Sequence, residues 1–563
     1  MMGFVFLAPA RLQAHYRPGS AFAVARGEPD GMFVKRCTIY RLGLLMLTHC
    51  FVARAEQATS VTQYGITWTF DKPCKVGKFV TGDWWVVGPV TVVKIDPAAG
   101  PAPENATATE DKSRYGATTV VDDKRMRNGS MIVLGPDLND RLNGFSTQGY
   151  DSRLAGNYRP ELSVKFPCQL EVNRSLISTI SSERYETNHL GVLQLATPNV
   201  LGQIKPPLMF CPATLPVVLD TAAVLTCLDQ EPPADAFRPS YAGMEKTIYQ
   251  TKDIHWGVLP KLKPTPSTPE WASMERVFQR PWIDHIHSWA IQTLAPGRNQ
   301  PNYGREYARM TEIAGLMLLL DVPQAQKEKL MISYIQLGID LHGVARIGGG
   351  WFSDGGHFIG RKWPILFASL LLDKPDLRTF PPVDLKRYCM EPSPDLPHPT
   401  TSFSEDVDTY YGKGANGQNV LWQVTYHTGP RAPFEEKPFS EWDDGDKFIC
   451  SYRGLTSNCY IGTALAALLL KAKAIWGHDA FFDYTDRWMS PDDLWYDPDK
   501  GKVAPKKTWV KGTICCQDLF VEEMWFAYRK GVPEQPGAAQ NYKWVWVGDY
   551  KKGVGQWVHN PKE

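Results

Sequence analysis

Runs of β-branched and aromatic residues recur in the first half of the chain and predict short strands. Such side chains pack well on a pleated surface, and the polar, Pro- and Gly-containing pieces between them are typical of turns. The runs are DWWVVGPVTVVKI (83–95), ATTVV (117–121), SMIVLG (130–135) and LPVVLDTAAVLTCL (215–228). Residues 56–258 are therefore predicted to form an antiparallel β-rich domain of the sandwich type.

The pattern changes after LPKLKPTPSTPE at residues 259–270, where four prolines favour an extended linker. Beyond it, apolar residues recur with helical spacing. In REYARMTEIAGLMLLLD (305–321), one stripe contains Tyr307, Met310, Ile313, Ala314, Met317 and Leu318. Similar patterns occupy residues 275–293, 324–342, 360–372, 457–476 and 517–530.

Several of these predicted helices are apolar on more than one face, as in TALAALLLKAKAIW (463–476). Two concentric layers of helices cover such faces better than a single-layer bundle does. Residues 271–535 are therefore predicted to form an α/α toroid, an incomplete α/α barrel, followed by a C-terminal tail at 536–563. The predicted fold class is α+β with more than one domain, which a chain of 563 residues also favours.

The N-terminal region predicts a secretory signal with an upstream extension, together residues 1–55. The stretch MFVKRCTIYRLGLLMLTHCFVARA (32–55) has basic residues, then a short apolar run, then Ala53-Arg54-Ala55. That order is typical of a signal peptide cut after Ala55, and the apolar run is too short for a comfortable membrane span. The mature protein is therefore expected to be secreted or periplasmic, with no membrane partner.

Composition limits the classes of partner that the protein is expected to bind. The whole chain has 61 Lys and Arg against 60 Asp and Glu, and the predicted signal removes more basic than acidic residues. A chain of this charge is not a basic nucleic-acid binder. Aromatic residues make up 12% of the chain, including 19 Trp, which suits grooves that stack sugar rings. The cysteine and histidine spacing gives no zinc motif, and no cofactor is expected. A structural cation stays open as an alternative, since the acidic residues of SEDVDTYYG, with Glu435, Glu436 and Asp443, are possible ligands.

An exported, aromatic-rich protein first suggests carbohydrate, and two chemistries then compete. Elimination from a uronic acid needs a group that neutralises the sugar carboxylate, a base for the C5 proton and an acid for the leaving oxygen. Hydrolysis needs two carboxyl groups across the scissile bond. The candidates for such a pair are Glu405, Asp406, Asp408, Glu435, Glu436 and Asp443. A non-catalytic sugar-binding protein is the third possibility.

One candidate segment for elimination is CSYRGLTSNCYIGTALAALLLKAK (450–473). Arg453 is expected in an approach loop, Asn458 at a helix cap and Tyr460 in the first turn of an apolar helix. These residues would then lie together at the mouth of a toroid. The alternative is structural: Asn458 caps the helix and Tyr460 packs in the core.

A second candidate segment is GGHFIGRKWP (355–364), in which His357, Arg361 and Lys362 precede an apolar helix. The positive end of a helix dipole disfavours cations, so Arg361 and Lys362 are expected to bind carboxylates of a substrate. His357 is a candidate for acid–base chemistry. Trp351, just upstream, is either a stacking platform for sugar or part of the core edge.

Two further segments carry polar groups of the same kind. QPNYGREYAR (300–309) opens a helix with Asn302, Tyr303 and Arg305, which either line the same mouth or are solvated. QVTYHTGPRAP contains His427 in a Gly- and Pro-rich stretch, which makes it a second-choice base.

Parts of the C-terminal half resemble a known enzyme class. SNCYIGTALAALLL after an upstream Arg is similar to the Arg…Asn…Tyr helix start of toroid-fold alginate lyases. WFSDGGHFIGRKWPILFASLLL (351–372) and GHDAFFDYTDRWM (477–489) resemble segments of bacterial α/α-toroid polysaccharide lyases that act on alginate or glucuronan-type polymers. Gly356 stands where the class usually has the Asn of an Asn-His pair.

The resemblance implies a polysaccharide lyase that cleaves an acidic, uronic-acid-containing polysaccharide by β-elimination. Tyr460 would be the acid and base, Arg453 and Asn458 would neutralise the carboxylate, and His357 follows from similar context. The expected catalytic residues are Tyr460, His357, Arg453, Asn458 and His427. The expected substrate-binding residues are Arg361, Lys362, Asn302, Tyr303, Arg305 and Trp351. A glycoside hydrolase and a carbohydrate-binding protein remain as alternatives.

Overall fold

The computed structural model describes the chain in several stretches. They are residues 55–100, 126–134, 147–152, 158–182, 217–286, 294–302, 304–351, 355–380, 403–424, 434–497, 516 and 518–537, with strands at 111–112, 118–119, 502–505, 543–549 and 554–560. The predicted extension and signal before Ala55 lie outside the described residues, as do Tyr303 and His427. The described part belongs to one unit, Val52–Glu563.

Most strands lie in the first half of the chain, as the pattern predicts. They are β1 (Glu56–Gln63), β2 (Ile66–Lys78), β3 (Trp84–Val87), β4 (Val90–Asp96), β5 (Asp111–Lys112), β6 (Thr118–Thr119), β7 (Ser130–Ile132), β8 (Cys168–Leu170), β9 (Arg174–Ser181) and β10 (Leu219–Leu228). Later strands are β11 (Thr409–Tyr411), β12 (Val420–Trp422), β13 (Leu494–Asp497), β14 (Lys502–Pro505), β15 (Lys543–Asp549) and β16 (Val554–Asn560).

One eight-stranded sheet contains the core of the β-rich region. Its order is β7-β9-β10-β3-β2-β4-β8, and β1 also pairs with β2. Its strand pairs are antiparallel except that β10 lies parallel to β3. The β-rich prediction is confirmed, and the correction is that this sheet is mixed, because β10 comes from a distant part of the chain and lies beside β3.

The long strand β2 curls this sheet. Its first half pairs with β4, whereas its last residues, Val76–Lys78, pair with β3. Trp68 is buried inside the curl, and its indole N–H donates to Ser178 Oγ at 2.9 Å. Burial of such a large ring with its polar atom bonded stabilises the enclosed face of the sheet.

Helices dominate the chain after residue 270. They are α1 (Trp271–Phe278), α2 (Gly304–Met317), α3 (Gln324–Arg346), α4 (Lys362–Leu372), α5 (Ser404–Asp408), α6 (Asp444–Ser457), α7 (Ile461–Leu469), α8 (Lys473–Trp476), α9 (Asp479–Met489) and α10 (Leu519–Tyr528). Short 3₁₀ turns occur at Pro160–Leu162, Thr251–Asp253, Trp256–Val258, Pro375–Arg378, Phe434–Glu436, Phe439–Glu441 and Arg529–Gly531. A mixed α+β architecture is therefore confirmed.

The apolar helix α7 is surrounded, as its sequence requires. Its residues from Ile461 to Leu468 are buried, and it packs against α2, α4, α9 and α10. Ala and Leu on all sides leave the helix no polar face for solvent, so neighbours must cover every side. Among the helices that the structure describes, none is long and apolar enough to cross a bilayer.

The β-rich and helical regions share one hydrophobic core. It runs from β7 and β10 to the helices, and a buried ion triad crosses the same boundary. Arg238 donates to Asp83, just before β3, and to Asp340 in α3, each at 2.6 Å. All three side chains of the triad are closed to solvent. The two carboxylates therefore compensate the charge of the buried guanidinium.

The Pro-rich stretch 259–270 is not extended throughout, because the Thr268 N–H donates to the Thr265 carbonyl in a turn, and the stretch packs on the helical body. Leu262 pairs with Leu320 in a β-bridge. Ser267 donates to the carboxylate of Glu523 in α10 at 2.9 Å. Hydrogen bonds to the helical body therefore keep this stretch in contact with it along its length.

Candidate functional site

Several segments that the sequence marks as candidates meet at the N-terminal end of α2. The glycine loop, residues 355–360, packs on the first turn of this helix. A Cβ added to Gly304 would lie 2.0 Å from the carbonyl oxygen of His357, so backbone meets backbone here. The half-buried His357 is therefore adjacent, through its backbone, to the stretch that contains Asn302 and Arg305.

The other end of the glycine loop packs equally closely. Gly360 has a φ of +91°, and a Cβ on it would lie 2.5 Å from Cα of Ala308 in α2. Thr311 Oγ1 also contacts the Gly360 carbonyl at 3.3 Å. Only glycine combines this positive φ with so close an approach, which explains the glycine at position 360.

Replacement of Gly304 by alanine is expected to displace the glycine loop. The new Cβ would overlap the His357 carbonyl, and overpacking of this kind costs about 1–3 kcal/mol of unfolding free energy. Urea denaturation of Gly304→Ala measures this loss. Gly257→Ala is the matched control, because its Cβ would meet no atom within 4 Å. Equal stability of Gly304→Ala and the wild type would contradict this packing.

The turn between α6 and α7 is the third segment at this place. Asn458 ends α6, and its side-chain Oδ1 is buried without a hydrogen-bond partner among the described residues. Burial raises the pKa of the Cys459 thiol, Glu312 raises it further, and the Arg305 guanidinium opposes both. The Cys459 thiol, next to Asn458, is therefore within the electrostatic influence of Arg305 and Glu312.

The short helix α5 is the fourth segment and links the other two. Glu405 Oε1 accepts a hydrogen bond from the Gly360 amide at 2.6 Å. Asp408 Oδ2 accepts one from the Tyr460 hydroxyl at 2.7 Å. One helical turn thus contacts both the glycine loop and the residue that precedes α7.

The start of α2 carries two guanidinium groups, with the carboxylate of Glu306 between them and Asp518 near the second. Arg305 and Arg309 lie 3.3 and 2.8 Å from the two oxygens of Glu306. The helix N-terminus adds partial positive charge at the same end. Asp518, at the start of α10, lies near Arg309, and burial raises its pKa to about 6. Arg305 and Arg309 are 3% and 5% exposed, so these charges lie in the buried part of the helix end.

Buried carboxyl groups around the site favour their protonated forms. Glu312 Oε2 accepts the Gly462 amide at 2.8 Å and so caps α7. Burial raises the Glu312 pKa well above its usual range, and nearby Asp518 adds to this. Burial also raises the pKa of Glu405 to about 7. Burial therefore opposes a negative charge on Glu312.

Tyr460 is in a different setting from the one expected. It is the residue before α7 rather than part of its first turn, and only 1% of it is exposed. Burial raises the pKa of its phenol well above 10, and the carboxylate of Asp408 adds to this. The hydroxyl therefore stays protonated and donates to an internal acceptor, which supports a structural role.

The sequence-based expectation that Arg453 lies in a loop is wrong. Arg453 lies in α6, is fully buried and takes part in an ionic network. Its guanidinium donates to Asp493 at 2.7 Å and to the Tyr484 hydroxyl at 2.6 Å. Glu435 lies 3.5 Å away. Carboxylates inside the protein balance the charge of Arg453. The structure therefore supports a stabilising role for Arg453 and not a contact with substrate.

Arg361 and Lys362 are likewise paired inside the protein. Arg361 is 1% exposed and donates through Nε and Nη2 to the two oxygens of Asp284, at 2.9 and 3.2 Å. Lys362 is 5% exposed and donates to Asp406. The structure therefore contradicts the expectation that they bind substrate carboxylates. Both form buried ion pairs with acidic residues that are far away in sequence.

Trp351 is a core residue in this structure. It is 1% exposed, and its ring stacks on Phe403 with 5.7 Å between the ring centroids. Its side chain also opposes the rise that burial causes in the pKa of the Asp284 carboxyl. One face of the indole is thus covered by protein, which favours the core alternative over a sugar platform.

A buried histidine that the sequence did not single out lies beside Asp284. His285 is fully buried between the rings of Tyr150 and Tyr241, with centroid distances of 6.2 and 5.9 Å. Its two ring nitrogens have no hydrogen-bond partner among the described residues. Burial lowers its pKa to about 3, so the imidazole is neutral in the fold.

Acid is expected to destabilise the protein through His285. Below pH about 6.5 the unfolded chain binds a proton at this position, whereas the folded protein does not until pH about 3. Between these values stability falls by at most about 1.4 kcal/mol per pH unit from this group. His285→Phe should flatten the curve of unfolding free energy against pH, and the exposed His255→Phe should not. Parallel curves for wild type and His285→Phe would refute the expectation.

The structure thus places the backbone of His357 against the start of α2, between Asn302 and Arg305 in sequence, and it buries Tyr460 against Asp408. It separates Arg453, which lies in its own network. Sequence reasoning missed the supporting acidic residues Asp284, Glu312 and Asp518. Asp284 has a signal in hindsight, because an Asp-His pair in WIDHIHSW is unusual in an apolar stretch.

Among the described residues, no group of three or more His, Cys, Asp or Glu side chains is arranged to hold a metal ion. Their cysteines, Cys74, Cys168, Cys227, Cys450, Cys459 and Cys516, are free thiols. Comparison of the chain with protein-family models, with curated proteins and with solved structures finds no match.

Proposed function

We propose that the protein is a polysaccharide lyase that cleaves a uronic-acid-containing polysaccharide, of the alginate or glucuronan type, by β-elimination. The observation that carries the proposal is the backbone contact between His357 and Gly304. It brings the backbone of His357 next to the stretch that contains Asn302 and Arg305, and in the proposal the imidazole acts beside these two side chains. A base beside amide and guanidinium groups is the set that elimination from a uronate requires.

Charge at the start of α2 supports the binding half of this proposal. Arg305 offers a planar, two-pronged donor that matches a carboxylate, and the helix N-terminus favours the same negative charge. Asn458 lies nearby, at the end of α6. We assign Arg305, with Asn302 and Asn458, to the substrate carboxylate, because neutralising it makes the C5 proton acidic.

His357 is the proposed base. It takes the C5 proton, and the electrons of the C5–H bond form the C4–C5 double bond as the C4–O4 bond breaks. The leaving oxygen then takes a proton from the imidazolium, which restores the neutral histidine. In this scheme Tyr460 and Arg453 stabilise the fold, and no cofactor takes part.

We further propose that the helical region is an α/α toroid with this site at its mouth, in a protein that is exported before it acts. The support is the central position of α7, which has helices on several sides. The residues before α7 and the start of α2 then lie at the same end of the body. The similarity of this stretch to toroid-fold alginate lyases agrees with that arrangement.

The test is to incubate the protein with a panel of polyuronates and follow ultraviolet absorbance together with reducing ends. Elimination creates a conjugated C4–C5 double bond, so both signals should rise at the same rate. Reducing ends without absorbance would overturn the lyase proposal in favour of hydrolysis. Binding with neither signal would overturn it in favour of a non-catalytic protein.

A glycoside hydrolase is the second candidate, and Glu405 favours it. Its Oε2 is buried without a hydrogen-bond partner among the described residues. Burial raises its pKa to about 7, which is the property of a general acid that works near neutral pH. The hydrolase candidates Asp406 and Glu435 are paired with Lys362 and Arg487, which leaves Glu405 as the stronger group.

A further inference from the structure

We infer that Arg361 and Glu405 are positioning residues, which bind the backbone of the glycine loop from two sides and thereby set the position of His357. The inference rests on the proposed function in that His357 is the proposed base. It concerns residues that do not contact the substrate. Its structural half can be measured on the protein without any substrate.

Arg361 uses both sides of its guanidinium for this purpose. Nη1 donates to the carbonyl of His357 at 3.2 Å and to that of Ile359 at 2.9 Å. Nε and Nη2 donate to Asp284, which compensates the buried charge. One planar group thus connects the loop to an acidic side chain that lies 77 residues away in sequence.

The ring of Tyr307 fixes the plane of that guanidinium. Arg361 Cζ lies 3.7 Å from the ring centroid, so the cation stacks on a residue of α2. Arginine suits this place better than lysine, because an ammonium cannot bond two carbonyls and a carboxylate in one plane. The stack connects the loop to the helix whose first turn it already contacts.

Glu405 binds the loop at its other end. Its Oε1 accepts a hydrogen bond at 2.6 Å from the amide of Gly360, the residue with the positive φ. Trp351, just before the loop, and Phe403, just before α5, form a parallel β-bridge. The chain on both sides of the loop is thus attached to the same short helix, so the loop has little freedom to move.

Hydrogen exchange followed by mass spectrometry tests the structural half. Arg361→Lys keeps the charge beside Asp284 but cannot make both carbonyl bonds, so exchange at residues 357–360 should quicken at least tenfold. Glu405→Ala should do the same at Gly360. Glu405→Gln should exchange as the wild type does, because its amide oxygen still accepts the Gly360 N–H. A peptide from α3 in the same digest reports any global unfolding.

Kinetics test the catalytic half. Arg361→Lys and Glu405→Ala should lower kcat at least tenfold with little change in KM, because the substrate contacts at Arg305 remain. Arg298→Lys, in an exposed ion pair with Asp220, is the control and should change neither. Unchanged exchange in both loop variants would overturn the inference, and so would unchanged kcat with faster exchange.

The two proposals fail in different ways. If the wild-type protein gives no ultraviolet product with any polyuronate, the proposed function fails, and the exchange result still decides whether Arg361 and Glu405 hold the loop. If Glu405→Gln abolishes turnover while exchange is unchanged, Glu405 is itself the proton donor. That outcome would overturn its positioning role.

Discussion

Replacement of His357 by alanine is expected to lower kcat on a polyuronate by about 10²–10⁴-fold, the usual contribution of a general base. The fold should remain intact, because the loop backbone is held by bonds that do not involve the imidazole. Arg361 bonds the His357 carbonyl, which alanine retains. Initial rates from ultraviolet absorbance, with circular dichroism as a check of folding, measure the effect.

The matched control is His255→Ala. His255 is exposed and lies between two 3₁₀ turns, outside the site. Its removal should leave kcat and KM as in the wild type. If His357→Ala also retains full activity, the base must be sought among residues outside the described part of the chain, with His427 the first choice, and our assignment is wrong.

Replacement of Arg453 by leucine is expected to lower the free energy of unfolding by about 3–5 kcal/mol, the usual cost of breaking a buried ion pair from one side. Asp493 loses a hydrogen bond of 2.7 Å, and the Tyr484 hydroxyl loses a donor at 2.6 Å. Arg487 then faces Glu435 and Asp493 alone, which leaves one buried negative charge in excess.

Urea denaturation compares this variant with Arg298→Leu. Arg298 forms an exposed ion pair with Asp220, and exposed pairs contribute at most about 1 kcal/mol. A large difference between the two variants supports a structural Arg453. If Arg453→Leu is as stable as the wild type but has a raised KM, the arginine instead binds substrate, as the resemblance to alginate lyases implies.

The Arg453 variant tests a residue whose role the sequence analysis assigned together with those of its neighbours. Sequence reasoning grouped Arg453, Asn458 and Tyr460 because they lie within one short stretch. In the fold, Arg453 is one helical turn away from Asn458 and faces a different set of partners. Residues five apart on a helix do not share a face as those three or four apart do, so proximity in sequence was a poor guide here.

Local patterns were reliable where the physics is local. Strand-forming runs gave β3, β4, β7 and β10, and helical periodicity gave α2, α3, α4 and α10. Pro364 lies in the first turn of α4, where its missing N–H costs nothing. The Ala- and Leu-rich stretch at 461–469 is buried on all sides, as its lack of a polar face predicts.

Charged side chains show the opposite case. Arg361 and Lys362 seemed to require an external anion, because nothing near them in sequence balances their charge. Asp284 and Asp406 balance it from 77 and 44 residues away. No periodicity or motif reports such a pair, since its energy depends on distance in space and not on spacing along the chain.

The sequence by itself therefore determined the mixed α+β class, most of the regular elements and the segments where polar groups collect. The tertiary structure decided which of those groups meet. It placed the backbone of His357 against the first turn of α2, next to Asn302 and Arg305 in the chain, and it paired Arg361, Arg453 and Tyr460 with acidic partners inside the protein. The reason is physical: elements form from local propensity and burial, whereas a site is made by contacts between segments that only the folded core brings together.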